Sequence, residues 1–259
     1  MSARAMNLLA ALCVALALVT IGWAALPRLA QQPKFQLKRV DVRGDLRHVT
    51  SASVRTALAG RLRGNYFTVR LEDTRRLFET VPWVAQASVR RVWPDRLVVT
   101  VTEHRALGVW EDGRLLSDRG ELFVANPDEA EVYGQLPEFS GPFNAAKDAA
   151  RQYYELSSQF AALSLRVGAI DISDRKAWSL RLVPDLGEGA RHAGEIRVEL
   201  GRDRAVMPLG ARVAQVIAAY PLVVAQLGSP PSRIDARYAR GLAVSTSANA
   251  TTKPDRGRQ

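Results

Sequence analysis

Three histidines, His48, His104 and His192, are the first residues to test for chemistry, because an imidazole can bind a metal or move a proton near neutral pH. Their spacing supports neither role. No two stand in an HxH or HExxH arrangement, so each reads as a surface histidine. A serine nucleophile on a Gly-x-Ser-x-Gly elbow is absent from the sequence, as is a phosphate-binding P-loop. Gly187-Glu188-Gly189 opens like a dinucleotide fingerprint, but the third glycine is missing and Pro184-Asp185 precedes it instead of a strand leading into a helix. The acidic residues are dispersed and form no acid–base motif. The single cysteine, Cys13, lies inside an apolar run, which excludes a disulfide or a Cys-based metal site in the rest of the chain. The expectation is a protein with no catalytic residues, no metal and no cofactor, whose chemistry is recognition.

The bulk properties agree. The 259 residues are 47% hydrophobic, enough for a packed core, and carry a net charge of +10. The basic residues are spread from Lys34 to Arg240 without a motif that reads DNA or RNA, so they imply a solvated basic surface and no nucleic-acid partner. No small-molecule substrate is expected.

What must position a recognition surface is first an anchor. No charged residue occurs between Ala5 and Pro27. A bilayer core of about 30 Å needs roughly 20 apolar residues in a helix, and residues 5–27 supply them. Trp23 near one end suits the interface. A cleaved signal with Gly22 and Ala24 before the cut is the alternative, but its apolar region is ordinarily shorter. The reading is an uncleaved signal-anchor over residues 5–27, behind a four-residue tail. The charge bias does not orient it, since Arg4 stands alone before the span while Arg28, Lys34, Lys38, Arg39 and Arg43 follow.

The soluble part divides into two domains, residues 35–105 and 106–245, then a polar tail, residues 246–259, expected to be disordered. In the first, an edge-type strand from Phe35 ends at Gly44. Thr50 caps a helix whose face is Val54, Ala57, Leu58 and Leu62. Asn65–Val69 reads as a short extended bridge. Leu71, Arg75, Phe78 and Val81 mark a second helix stopped by Pro82. Ala85, Ala87 and Val89 then alternate with Gln86, Ser88 and Arg90, Pro94-Asp95 turns, and Leu97, Val99 and Val101 alternate in a second strand. In the second domain, Glu111-Asp112-Gly113 is a hairpin signal. A helix spans residues 144–165, with Ala149, Tyr153, Leu156, Phe160 and Leu163 on one face. Strands centred on Leu180 and Val198 follow, then a helix over residues 208–219 that Pro221 disrupts, then strands at 233–237 and 240–245.

The words Pro82-Trp83-Val84, Ala87-Ser88-Val89-Arg90-Arg91 and Trp93-Pro94-Asp95, followed by an apolar strand ending at Glu103, resemble the FtsQ/DivIB family of bacterial cell-division proteins. Arg70 and Ala106 depart from that pattern, where an acidic residue and a proline are commoner. The resemblance implies an α+β chain: a single N-terminal transmembrane helix, a β-α-α-β-β POTRA domain, then a mostly antiparallel β domain with flanking helices. It implies a single-pass inner-membrane protein of type II at the septum, its bulk in the periplasm, with a cytoplasmic tail longer than the four residues seen. Asp235–Ser245 is similar to the family's last strand, where members bind FtsB and FtsL by strand addition. There Tyr238 offers an aromatic anchor, Gly241 allows backbone approach, Leu242 and Val244 alternate inward, and Arg237 reaches an acidic group. Arg175 maps onto a basic contact residue. FtsK and other divisome proteins would meet the POTRA surface around Leu71–Trp83 and Leu97–Glu103. Two rivals remain: a POTRA-bearing secretion or outer-membrane assembly factor, against which stands the lack of barrel-length strands after Ser245, and an exported cell-wall enzyme with a cleaved signal.

Overall fold

A computed structural model describes residues 35–246, apart from 45, 63, 133 and 186–193, together with 11–12, 14–21 and 23. The expected tail at 1–4, Cys13, His192, Gly187-Glu188-Gly189 and nearly all of the expected tail at 246–259 lie outside the described residues. Residues 1–104 and 105–259 separate as two compact units.

The first unit holds β1 (Arg39–Arg43), α1 (Ser51–Leu58), α2 (Leu71–Phe78), β2 (Val84–Val92) and β3 (Arg96–Glu103). The sheet order is β1-β3-β2, with β1 parallel and β2 antiparallel to β3. β3 is therefore central. It has no free edge, and the part of it that a partner could meet is the face bearing exposed Thr100 and Thr102. Leu97 and Val99 of β3 and Phe78 of α2 are fully buried, so helix and sheet share one apolar layer. Ala85 departs from the alternation. A bulge between Val84 and Gln86 leaves it half-buried, while Val84 and Ala87 point into the core.

Two local devices set the helices. The Thr50 side chain accepts from the Ser53 N–H, and the Ser53 hydroxyl accepts from the Thr50 N–H, a reciprocal cap on α1. Thr50→Ala should lower the stability of the first unit by about 1 kcal/mol, read as faster amide exchange in α1. Arg70 makes no cap to α2. Its guanidinium pairs with Asp73 at 3.1 Å, so the departure from the family pattern leaves that end uncapped by its side chain. Asn65–Val69 is not an extended bridge. The Asn65 side-chain oxygen accepts the N–H groups of Phe67 and Thr68, each at 3.0 Å, and folds the segment into a turn.

The second unit holds β4 (Ala106–Trp110), β5 (Leu115–Ser117), β6 (Leu122–Phe123), α3 (Pro127–Glu131), β7 (Glu138–Ser140), α4 (Ala146–Ala161), β8 (Leu165–Ile172), β9 (Ala177–Pro184), β10 (Ile196–Arg202), α5 (Leu209–Leu227), β11 (Arg233–Asp235) and β12 (Ala243–Ser245). One sheet joins all nine strands in the order β12-β11-β10-β9-β8-β7-β4-β5-β6. Pairing is mixed, with β4–β7, β7–β8 and β10–β11 parallel. α4 packs on β8 and α5 on β10. Between them and the sheet lie Leu156, Phe160, Ile170, Leu180, Val198 and Val213.

α5 runs eight residues beyond the expected 219, straight through Pro221. Pro221 is exposed, and the stop is Gly228, whose φ of 68° only glycine adopts cheaply and whose N–H bonds the Val224 carbonyl at 2.9 Å. By length and apolar content α5 alone among the described helices suits a membrane span. Its packing is that of a helix lying on the second unit by one face, with Leu209, Arg212, Val213 and Val216 buried there.

Candidate partner-binding edge

At the end of the nine-stranded sheet, β11 runs parallel to β10, and β12 turns back antiparallel, with Arg233, Ile234 and Asp235 opposite Ser245, Val244 and Ala243. Among the described residues no strand covers the outer side of β12. An uncovered edge presents backbone N–H and C=O groups to a partner strand.

Residues 236–242 connect the two strands, so Asp235–Ser245 is a strand, a loop and a strand, and not one continuous strand. Ala236 is fully buried and its N–H bonds the Glu199 carbonyl at 2.9 Å, which carries β11 one step further along β10. Arg237 then points back. Its Nε and Nη2 donate to the Asp235 carboxylate at 2.8 and 2.6 Å. That guanidinium holds the Asp235 carboxyl below its ordinary range, and the carboxylate raises the arginine in return. The expectation that Arg237 reaches an acidic partner group is therefore qualified. The cation is already engaged within its own turn, and its stem lies over Gly201, where a Cβ would come within 3.0 Å of Arg237 Cγ.

Tyr238 is 56% exposed and Val244 36% exposed. Leu242 is half-buried and packs against the core. The alternation of Leu242 and Val244 along one face thus splits into an inner and an outer residue. A Cβ on Gly241 would meet nothing within 4 Å, so nothing in the chain itself requires glycine there.

Arg175 is exposed in the tight turn between β8 and β9, held by the Lys176 N–H on the Ser173 carbonyl at 2.8 Å. Ala177 pairs with Arg202 across β9 and β10, while Glu199 pairs with Asp235 across β10 and β11. The Arg175 turn and the 236–242 loop therefore sit at the same end of the sheet, about two strand spacings or ~10 Å apart. Arg202 and Arg204 are exposed at that end as well, and sequence reasoning missed them. The signal lay in strand register, which places the last residue of β10 between the two expected contact groups. Arg175, Arg202 and Arg204 thus stand exposed at that end beside the engaged Arg237.

A groove of about 670 Å³ lies on the sheet face, lined by Glu138, Asp171, Arg181 and Glu195. Arg181 bridges Glu138 and Glu195, and Asp171 accepts from the Ser140 hydroxyl at 2.9 Å. Among the described residues no group of three or more His, Cys, Asp or Glu is placed to hold a metal ion.

Two family models match the chain: the FtsQ-type POTRA domain over residues 35–104, and the C-terminal part of cell division protein FtsQ/DivIB over residues 108–237. Curated relatives named cell division protein FtsQ include that of Burkholderia pseudomallei, 37% identical over 93% of this chain and 92% of its own length. Those of Bordetella pertussis and Nitrosospira multiformis are 33% and 35% identical, over 93% and 82% of this chain and 91% and 84% of their own lengths.

Proposed function

Because the chain belongs to the FtsQ/DivIB family of cell-division proteins, we propose that it is a non-enzymatic divisome scaffold of the inner membrane that lends β12 to the periplasmic segments of FtsB and FtsL by strand addition. The observation that carries this reading is the uncovered outer side of β12 beside exposed Tyr238. Main-chain pairing would supply affinity and Tyr238 a rigid aromatic contact, with the arginines at that end steering an acidic partner. The opposite edge of the sheet is β6, with two residues against three in β12. Through this contact the protein would help control septal peptidoglycan synthesis, and through its POTRA unit it would join earlier division proteins such as FtsK.

The anchor belongs to the same proposal. Leu12, Val14, Leu16, Leu18, Val19 and Ile21 are helical and each at least 59% exposed, apolar on every described face. A helix with no polar face and no protein against it is suited to lipid. The chain before the helix would then face the cytoplasm and both folded units the periplasm.

The test is capture of the full chain, in detergent micelles, on immobilised FtsB–FtsL periplasmic segments. Tyr238→Ala should weaken binding by roughly 30-fold or more, the loss of one interface anchor. Leu242→Pro should abolish it by interrupting the approach to the edge. Amide exchange in β9 and β10 must stay at the parental level in both. Capture of a folded Tyr238→Ala and a folded Leu242→Pro chain at parental strength would sink the strand-addition reading.

A further inference from the structure

The first unit sorts its aromatic residues in two. Phe78 and Trp83 are buried, at 0% and 3% exposure, whereas Phe67 and Trp93 stand 48% and 62% exposed. The exposed pair is not scattered. Phe35, Tyr66, Phe67 and Trp93 form one cluster, with ring centroids 5.0 Å apart for Phe35–Phe67, 5.6 Å for Phe35–Trp93 and 5.5 Å for Tyr66–Trp93. The cluster draws on three separate segments: the start of the domain, the Asn65 turn and the β2–β3 turn.

Each segment is held. The Asn65 side chain pins the N–H groups of Phe67 and Thr68, Tyr66 N–H bonds the Phe35 carbonyl at 2.9 Å, and Arg91 Nη2 donates to the Val69 carbonyl at 2.6 Å. Phe67 and Trp93 are thus presented outward on half-buried Phe35 and Tyr66, an apolar patch whose exposure to water is unfavourable unless something covers it.

Chain length says what is close enough to do so. Residues 24–34 alone separate Trp23 of the apolar helix from Phe35, a tether that reaches at most roughly 40 Å when fully extended. Phe35 is itself a member of the cluster, so the chain enters the first unit at this tip, within reach of the bilayer. The flanking charges fit a headgroup layer. Lys38 and Arg96 both approach the Asp95 carboxylate, at 3.8 Å each, in the same turn as Trp93, and their side chains remain 64% and 46% exposed. Indole and phenol rings beside cations are the composition that settles at a membrane–water interface, with the cations on anionic phosphates.

We propose that the Phe35–Tyr66–Phe67–Trp93 tip seats in the headgroup region of the bilayer that holds the N-terminal helix, fixing the first unit against the membrane surface. This rests on the anchor reading above. In that state β1 and α1 are held at a set height over the lipid, and the tip is a second, reversible foot beside the permanent span.

The test uses the full chain in vesicles of phosphatidylethanolamine and phosphatidylglycerol with lipids brominated near the headgroup, followed by tryptophan emission. Trp83, Trp110 and Trp178 are buried at 3%, 1% and 9% and contribute a shielded background. Subtracting Trp93→Phe from the parent isolates the tip, and subtracting Trp23→Phe isolates the anchor. The expected result is quenching and a blue shift of Trp93 of the same order as those of Trp23. Phe67→Ser, at a half-exposed position, should reduce the Trp93 quenching while leaving that of Trp23 unchanged. Quenched Trp23 with unquenched, unshifted Trp93 overturns the proposal and leaves the anchor standing. Neither residue quenched overturns both. Trp93 protection that appears only at high protein-to-lipid ratio assigns the tip to a second copy and also overturns it.

Discussion

Replacing Arg212 by alanine should cost the second unit about 3 kcal/mol or more, read as roughly hundredfold faster amide exchange in β10 and α5 of the full chain. Arg212 is 3% exposed, and among the described residues no carboxylate pairs with its guanidinium. Its Nη1 donates instead to the Leu200 carbonyl and its Nη2 to those of Arg202 and Met207, the last at 2.6 Å. Burial pulls its pKa down, yet an arginine begins so far above neutrality that it stays charged. Alanine would strand three inward carbonyls where water reaches them poorly and leave a cavity as well. Met207 and the segment before α5 would lose their tie to β10, and β10 carries β11. Arg212→Lys should recover only part of the loss, because one ammonium on a flexible stem cannot span carbonyls from three residues. Parental exchange rates in Arg212→Ala would show that α5 docks without this cation, and the account of it as a buried clamp would fail.

Arg212 also marks where the sequence stops being legible. It sits on a helix whose apolar face was readable from Leu209, Val213 and Val216 at three- and four-residue spacing, but its partners are backbone groups, which have no letter in a sequence. Pro221 misled for a related reason. The missing N–H is a local penalty of about 3 kcal/mol, and the helix, docked through Leu209, Val213 and Val216 before the proline and with Val223 and Val224 half-buried after it, runs on to Gly228 despite that penalty. The β2–β3 hairpin was legible because alternation and a turn agree along its length, except at Ala85, where a one-residue bulge resets the face. At the candidate edge, the strands and the exposure of Tyr238 followed from pattern and resemblance. The clamp of Arg237 on Asp235 did not, because two residues apart on an extended strand they would point the same way without any requirement to meet. Only the departure of the chain from β11 after Ala236 folds one onto the other. Arg202 escaped altogether, since its place beside Arg175 is a matter of register across β9 and β10.

The mirror image of Arg212 lies in the first unit, and it makes that unit acid-sensitive. Glu103, at the end of β3, has 8% side-chain exposure and accepts the backbone N–H groups of Arg47, His48 and Val49, the shortest at 2.7 Å, together with His48 Nδ1 at 3.1 Å. The His48 ring stacks on Trp83 at 3.9 Å, so the carboxylate fixes the segment between β1 and α1 onto the sheet. Burial opposes its charge, but the Val49 N–H, His48 and the Arg47 N–H outweigh burial and hold the carboxyl below its ordinary value. A carboxyl with a depressed folded pKa contributes stability above its unfolded pKa of about 4.3 and loses it as pH falls through the folded value. The first unit should therefore open at acid pH, with exchange at residues 46–54 rising first. Glu103→Ala should remove the contribution at every pH, a loss of about 3 kcal/mol for three orphaned N–H groups. Glu103→Gln keeps one acceptor oxygen and abolishes the titration, so it should fall between the two and lose this part of the acid dependence. A Glu103→Gln chain whose residues 46–54 open along the parental acid curve would place the proton-sensitive group elsewhere.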